Sequence, residues 1–191
     1  MDLDGDGQDE IIRSKFTYLI AQKFNPNADV TLYQRNLPPA FEGVEGHHAI
    51  ASLIACADLD GDGRENLIAW GNTPDRQLWR FWNLDPASGR TISEFDLVGG
   101  QDIRQDGMWD GLYYVTGSVP VIVDGQEVPA LIIGCTVGYD CYNRRIMAVD
   151  PRNGEVLWSF ALGPNPFYSN TRIADLDGDG LDDLVTLGGA A

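Results

Sequence analysis

The chain has 191 residues, about 43% of them hydrophobic, so it is long enough to bury a core and does not have the composition of a disordered polymer. Its formal net charge of -16 repels nucleic acid and anionic membrane surfaces and makes a cation the natural partner. No apolar run approaches the roughly 18 residues of a membrane span, no basic and apolar leader opens the chain, and three cysteines are too few for a disulfide framework.

In chain order, the first feature is an acidic loop, "DLDGDGQDEII", starting at Asp2. Near-copies follow at Asp58, "DLDGDGRENLIAW", and at Asp175, "DLDGDGLDDLVTL". The second gap is about twice the first. Midway in it lies "VIVDGQEVPALIIG", which aligns Asp124 with Asp60 and Gly125 with Gly61 but puts Ile122 and Gln126 in place of Asp58 and Asp62. That copy keeps the frame of the repeat and loses its acidic cluster.

A second motif recurs in register with the first. "LDPASGRTISEFDL" from Leu84 matches "VDPRNGEVLWSFAL" from Val149, with "FNPNADVTLYQRNL" from Phe24 a weaker copy. Proline fixes its own φ and the glycine admits φ > 0, so each copy is predicted to be a hairpin turn. One complete unit then comprises "AIASLIACA", the acidic loop, "NLIAW", "QLWRFWNL", the turn and "RTISEFDL". These runs are short, rich in β-branched and aromatic residues, and bounded by turn signals, with no helical period.

The expected fold is therefore all-β, a β-propeller of four-stranded antiparallel blades and a fragment of a larger one. Its predicted divisions are a partial blade over 1–43, a blade over 44–100, an insertion over 101–112, a blade over 113–164 and a partial blade over 165–191. Missing blades of the same protein are then the expected partners of the open edges.

Three aspartates at positions 1, 3 and 5 of a glycine-containing turn converge their carboxylates, a backbone carbonyl at position 7 adds a ligand, and an oxygen side chain at position 9 completes the cage. The first loop offers Asp2, Asp4, Asp6, the Gln8 carbonyl and Glu10. The second offers Asp58, Asp60, Asp62, the Arg64 carbonyl and Asn66, and the third Asp175, Asp177, Asp179, the Leu181 carbonyl and Asp183. Hard oxygen donors without Cys or His favour calcium, at two to three sites. An EF-hand is excluded, because its bidentate Glu at position 12 is replaced by Arg13, Ala69 and Thr186, and a strand-like run follows position 9. The competing interpretation is a solvated acidic turn that holds no ion.

The loop pattern resembles FG-GAP and VCBS repeats, the calcium-binding blades of integrin α-chain propellers and of many bacterial surface and secreted proteins. "IMAVDPRNGEVLWSFALG", Ile146 to Gly163, is also similar to the repeat of quinoprotein-like propellers, with Trp158 in the tryptophan place and Ser93 and Tyr33 in the matching positions of the other copies. The resemblance implies a calcium-stabilised, noncatalytic module presenting loops to a protein or glycan partner. Weak calcium sites fill only outside the cytosol, so the expected location is extracellular or periplasmic. The alternative is part of a propeller enzyme, either a rhamnogalacturonan lyase-like polysaccharide lyase or a quinoprotein dehydrogenase using pyrroloquinoline quinone.

Other residues have two interpretations each. His47 and His48 are a general base or a metal ligand in one, and a loop at a blade edge in the other, which neighbouring residues on opposite faces favour. Trp70, Trp79, Phe81 and Trp82 form either a stacking platform or, by preference, packing between blades. "QDIRQDGMWDGLYY", 101–114, is a polar insertion suited to a functional loop. Cys135 and Cys141 pair only in an oxidising compartment, leaving Cys56 as a thiol on an apolar stretch.

Overall fold

The computed structural model describes residues 2–3, 6–15, 18–23, 30–36, 50–56, 58–72, 78–98, 112–136, 145–161, 171–180 and 182–186. They contain thirteen strands. The first sheet has β1 (Glu10–Lys15), β2 (Tyr18–Lys23) and β3 (Val30–Asn36), paired in that order. The second is the meander β4 (Ile50–Cys56), β5 (Asn66–Asn72), β6 (Leu78–Asp85) and β7 (Arg90–Val98). The third is the meander β8 (Leu112–Val123), β9 (Gln126–Thr136), β10 (Arg145–Val149) and β11 (Val156–Ala161), and the fourth pairs β12 (Arg172–Ala174) with β13 (Asp183–Val185). Every pairing is antiparallel.

The apolar runs are continuous in the middle sheets because both faces are covered. On β5, Ile68 and Trp70 join Trp79 and Phe81 of β6 in one core, with Leu131, Ile133, Met147 and Val149 of the third sheet. Their sequence neighbours Leu67, Ala69, Trp82 and Leu84 point the other way and pack on Leu19 of the first sheet. The same alternation in the third sheet sends Ala130, Ile132, Ile146 and Ala148 towards Ile173 and Leu184 of the fourth. Phe81 and Phe95 stack at 5.0 Å between centroids, and Phe81 is fully buried. The aromatic group is thus packing between sheets, as preferred from the sequence.

The all-β class stands, but the expected propeller is corrected. The described strands form four small open antiparallel sheets in a stack, and among the described residues no closed ring exists. Ile11, Val30 and Leu32 on the first sheet and Val185 on the fourth are exposed apolar side chains. The four-stranded units are local and legible, whereas the radial arrangement expected of them depends on how successive sheets meet and has no sequence signal of its own.

Two recurrent ties link successive sheets. Tyr33 Oη on β3 donates to the Pro86 carbonyl in the β6–β7 turn at 2.6 Å, and Ser93 Oγ on β7 donates to the Pro151 carbonyl in the β10–β11 turn at 2.9 Å. Burial pushes the Tyr33 phenol up to about 12, with the nearby Asp85 charge adding to it. Two of the expected turns form as their residues predict, with the Asp85 and Asp150 carboxylates accepting the N–H two residues on, from Ala87 and Arg152, while the weaker copy at 24–29 lies outside the described residues. Gly89 and Gly154 have φ of 66° and 78°, and a Cβ on Gly154 would lie 2.8 Å from Phe95 Cβ, so the second turn docks where only glycine fits. Among the described residues no helix is long and apolar enough to cross a membrane.

Candidate metal centre

The three acidic loops lead into β1, β5 and β13 and share one hydrogen-bond plan. The position 1 carboxylate accepts the position 6 N–H: Gly7 to Asp2 at 2.9 Å, Gly63 to Asp58 at 2.8 Å, Gly180 to Asp175 at 3.0 Å. The position 4 N–H reaches the other oxygen, from Gly61 to Asp58 at 2.6 Å and from Gly178 to Asp175 at 2.7 Å. Position 5 accepts from position 7 in the first two loops, Gln8 to Asp6 at 3.0 Å and Arg64 to Asp62 at 2.9 Å. Glycines at positions 4 and 6 of the second loop have φ of 83° and 84°, a bend that L side chains rarely adopt.

Position 9 anchors each loop to its strand. Glu10, Asn66 and Asp183 accept the N–H of Leu3, Leu59 and Leu176 at 2.6, 2.5 and 3.0 Å. Asn66 is buried, and so is Leu59, whose side chain lies in the core between the second and third sheets. The loop is therefore pinned by its position 2 leucine on one side and its position 9 acceptor on the other.

In the second and third loops the carboxylates converge. Asp58, Asp60 and Asp62 each bring an oxygen within 4.8 Å of the others, as do Asp175, Asp177 and Asp183. Asp179 is not in the second of these groups; its N–H donates to Asp177 at 3.1 Å. Asp4 of the first loop and Leu181 of the third lie outside the described residues, as do His47, His48, Cys141 and residues 101–111 of the insertion. The Gly63 N–H, with those of Gly61, Asp60 and Asp62 behind it, holds the Asp58 carboxyl below its ordinary value.

The residues fit a hard cation. The donors are oxygens, and the first loop holds a specific vacancy in its hydrogen bonding: Glu10 is 5% exposed, one of its oxygens takes the Leu3 N–H, and the other, Oε1, is buried with no hydrogen-bond partner. A buried carboxylate oxygen left in that state is costly unless a cation meets it. Calcium accommodates six to eight oxygens at flexible geometry.

Two features escaped the sequence reading. Lys23 Nζ bonds Asp6 Oδ2 across the first sheet. Tyr33 and Ser93, aligned by the sequence with Trp158, turn out to be the ties between sheets. Both depend on strand register, which residue types alone did not reveal.

No family profile matches the chain, and no curated protein does. Among solved structures, that of rhamnogalacturonan lyase YesW is similar, with a TM-score of 0.57 and 21% identity over 97% of this chain. The chain spans 38% of that protein's length. At that identity the likeness concerns the fold.

Proposed function

We propose that the chain is a calcium-binding, noncatalytic all-β module of FG-GAP or VCBS character, in which two to three ions close the acidic loops and the stacked sheets hold surfaces for a protein or glycan partner. The observation that carries this reading is the convergence of Asp58, Asp60 and Asp62 within 4.8 Å on a loop whose glycines and Asn66 fix its shape. Like charges held so close raise the energy of the loop, and a bound cation lowers it. Binding to the folded state alone then stabilises the fold by mass action. Such sites suit an extracellular or periplasmic setting, where calcium modules work with dissociation constants of about 10⁻⁴ to 10⁻³ M.

Calorimetric titration of the chelator-stripped chain with calcium, with melting curves before and after, tests the proposal. Two or three equivalents and a higher melting temperature are expected; no heat and an unchanged melt would overturn it.

A second reading is favoured by the likeness to the lyase: the chain as part of a polysaccharide lyase. Incubation with rhamnogalacturonan distinguishes the two. Rising ultraviolet absorbance from unsaturated sugar products would replace the noncatalytic reading with this one.

A further inference from the structure

The first acidic loop differs from the second in having a cation of its own. Lys23 ends β2 directly across from Glu10, and its ammonium bonds Asp6 Oδ2. It therefore reaches the donor set at position 5, from the strand paired with the one that carries position 9. Among the described residues, no lysine or arginine pairs with Asp58, Asp60 or Asp62 of the second loop, or with Asp175, Asp177 or Asp183 of the third. Yet Glu10 Oε1 is buried and without a hydrogen-bond partner, so Lys23 does not satisfy the loop fully.

We propose that Lys23 is an internal counter-ion that a divalent cation must displace, so that the first loop is the weakest of the calcium sites and the last to fill. The inference rests on the calcium reading of the loops. In the absence of calcium the ammonium offsets the charge of Asp6 and keeps the loop folded. When the ion arrives, Asp6 exchanges a hydrogen bond from Lys23 for coordination, Glu10 Oε1 gains a partner, and the ammonium swings to solvent on its flexible stem. The pair is partly exposed, at 26% and 35% for its side chains, so the exchange is inexpensive and reversible.

The test compares the full chain with Lys23→Met and Lys23→Arg by calcium titration and by melting in chelator and in calcium. Lys23→Met is expected to tighten the weakest site about three- to tenfold and leave the others unchanged, while Lys23→Arg stays within about twofold of the parent. Adding Glu10→Gln to Lys23→Met should remove the tightened site, assigning it to the first loop. The melting signature is a crossing: Lys23→Met melts below the parent in chelator and at or above it in calcium. A lysine that merely supports the sheet would lower both. Calcium binding with no change in the weakest site, or melting lowered in both conditions, overturns the role of Lys23 and leaves the calcium reading intact. No calcium binding by any of the proteins overturns both.

Discussion

Between β4 and β5 the chain forms an acidic loop over residues 58–65, whereas between β8 and β9 it turns on Asp124 and Gly125 alone. The two connections occupy the same place in their sheets: Leu67 pairs with Leu84 as Leu131 pairs with Val149. In the β8–β9 hairpin the ladder runs on to Val123 opposite Gln126, and Asp124 and Gly125 have φ of 51° and 76°, the tight turn that suits the twist of its strands. In the β4–β5 loop the ladder stops at Cys56 opposite Asn66, and side-chain carboxylates take over the backbone N–H groups. Where Asn66 anchors the loop, the third sheet has the fully buried Ala130, which offers no acceptor. A ladder closes a turn without help. A loop closed by carboxylates collects like charge and is completed by a cation, so calcium dependence should be confined to one connection and absent from the other.

The sharpest break of that contrast is a pair of variants. Asp58→Ala should remove one calcium equivalent, with a loss at that loop at least as large as the roughly 10–100-fold typical of outer-shell changes at metal sites, while Asp124→Ala leaves the stoichiometry intact. A titration in which Asp124→Ala also loses an equivalent would erase the distinction. Next in size is Leu59→Ala. This leucine is 2% exposed and ties the loop to the core, so its truncation should cost about 2–5 kcal/mol in denaturant unfolding and weaken calcium binding as well.

Glycines give a smaller effect that separates strain from crowding. Gly61→Ala meets nothing within 4 Å and pays only for its φ of 83°, about 1–2 kcal/mol. Gly154→Ala adds the 2.8 Å approach to Phe95 Cβ and should be the more destabilising of the two in the same melts. Smallest is the pH effect. The folded value of Asp58 is depressed, so its contribution to stability is complete above the unfolded value of about 3.9 and is lost as pH falls through the folded value. Melting temperatures between pH 7 and pH 5 should therefore not move on its account, and Asp58→Asn should flatten only the acid limb.

Strands, turns and acidic loops were legible in the sequence because each is a local statement. Alternating apolar residues such as Leu67 to Trp70 predict β5, and Asp85 to Gly89 predict a turn, without knowledge of the rest. The aspartates at alternate positions likewise announced the convergence seen at Asp58, Asp60 and Asp62. What the sequence did not carry were relations between distant segments. A propeller fragment was inferred from the repeats, and the described strands form small open sheets instead. Lys23 meets Asp6 only through the register of β1 on β2, and the burial of Glu10 follows from the same pairing.

The ties from Tyr33 to Pro86 and from Ser93 to Pro151 have a consequence for how the molecule comes apart. Each joins the last strand of one sheet to the turn of the next, and the cores likewise join neighbour to neighbour. Cooperativity in such a stack passes along a line. Opening then begins at an end, at the three-residue strands β12 and β13, and the amide protons of β5, β6, β9 and β10, covered on both sides, are the last to exchange with solvent.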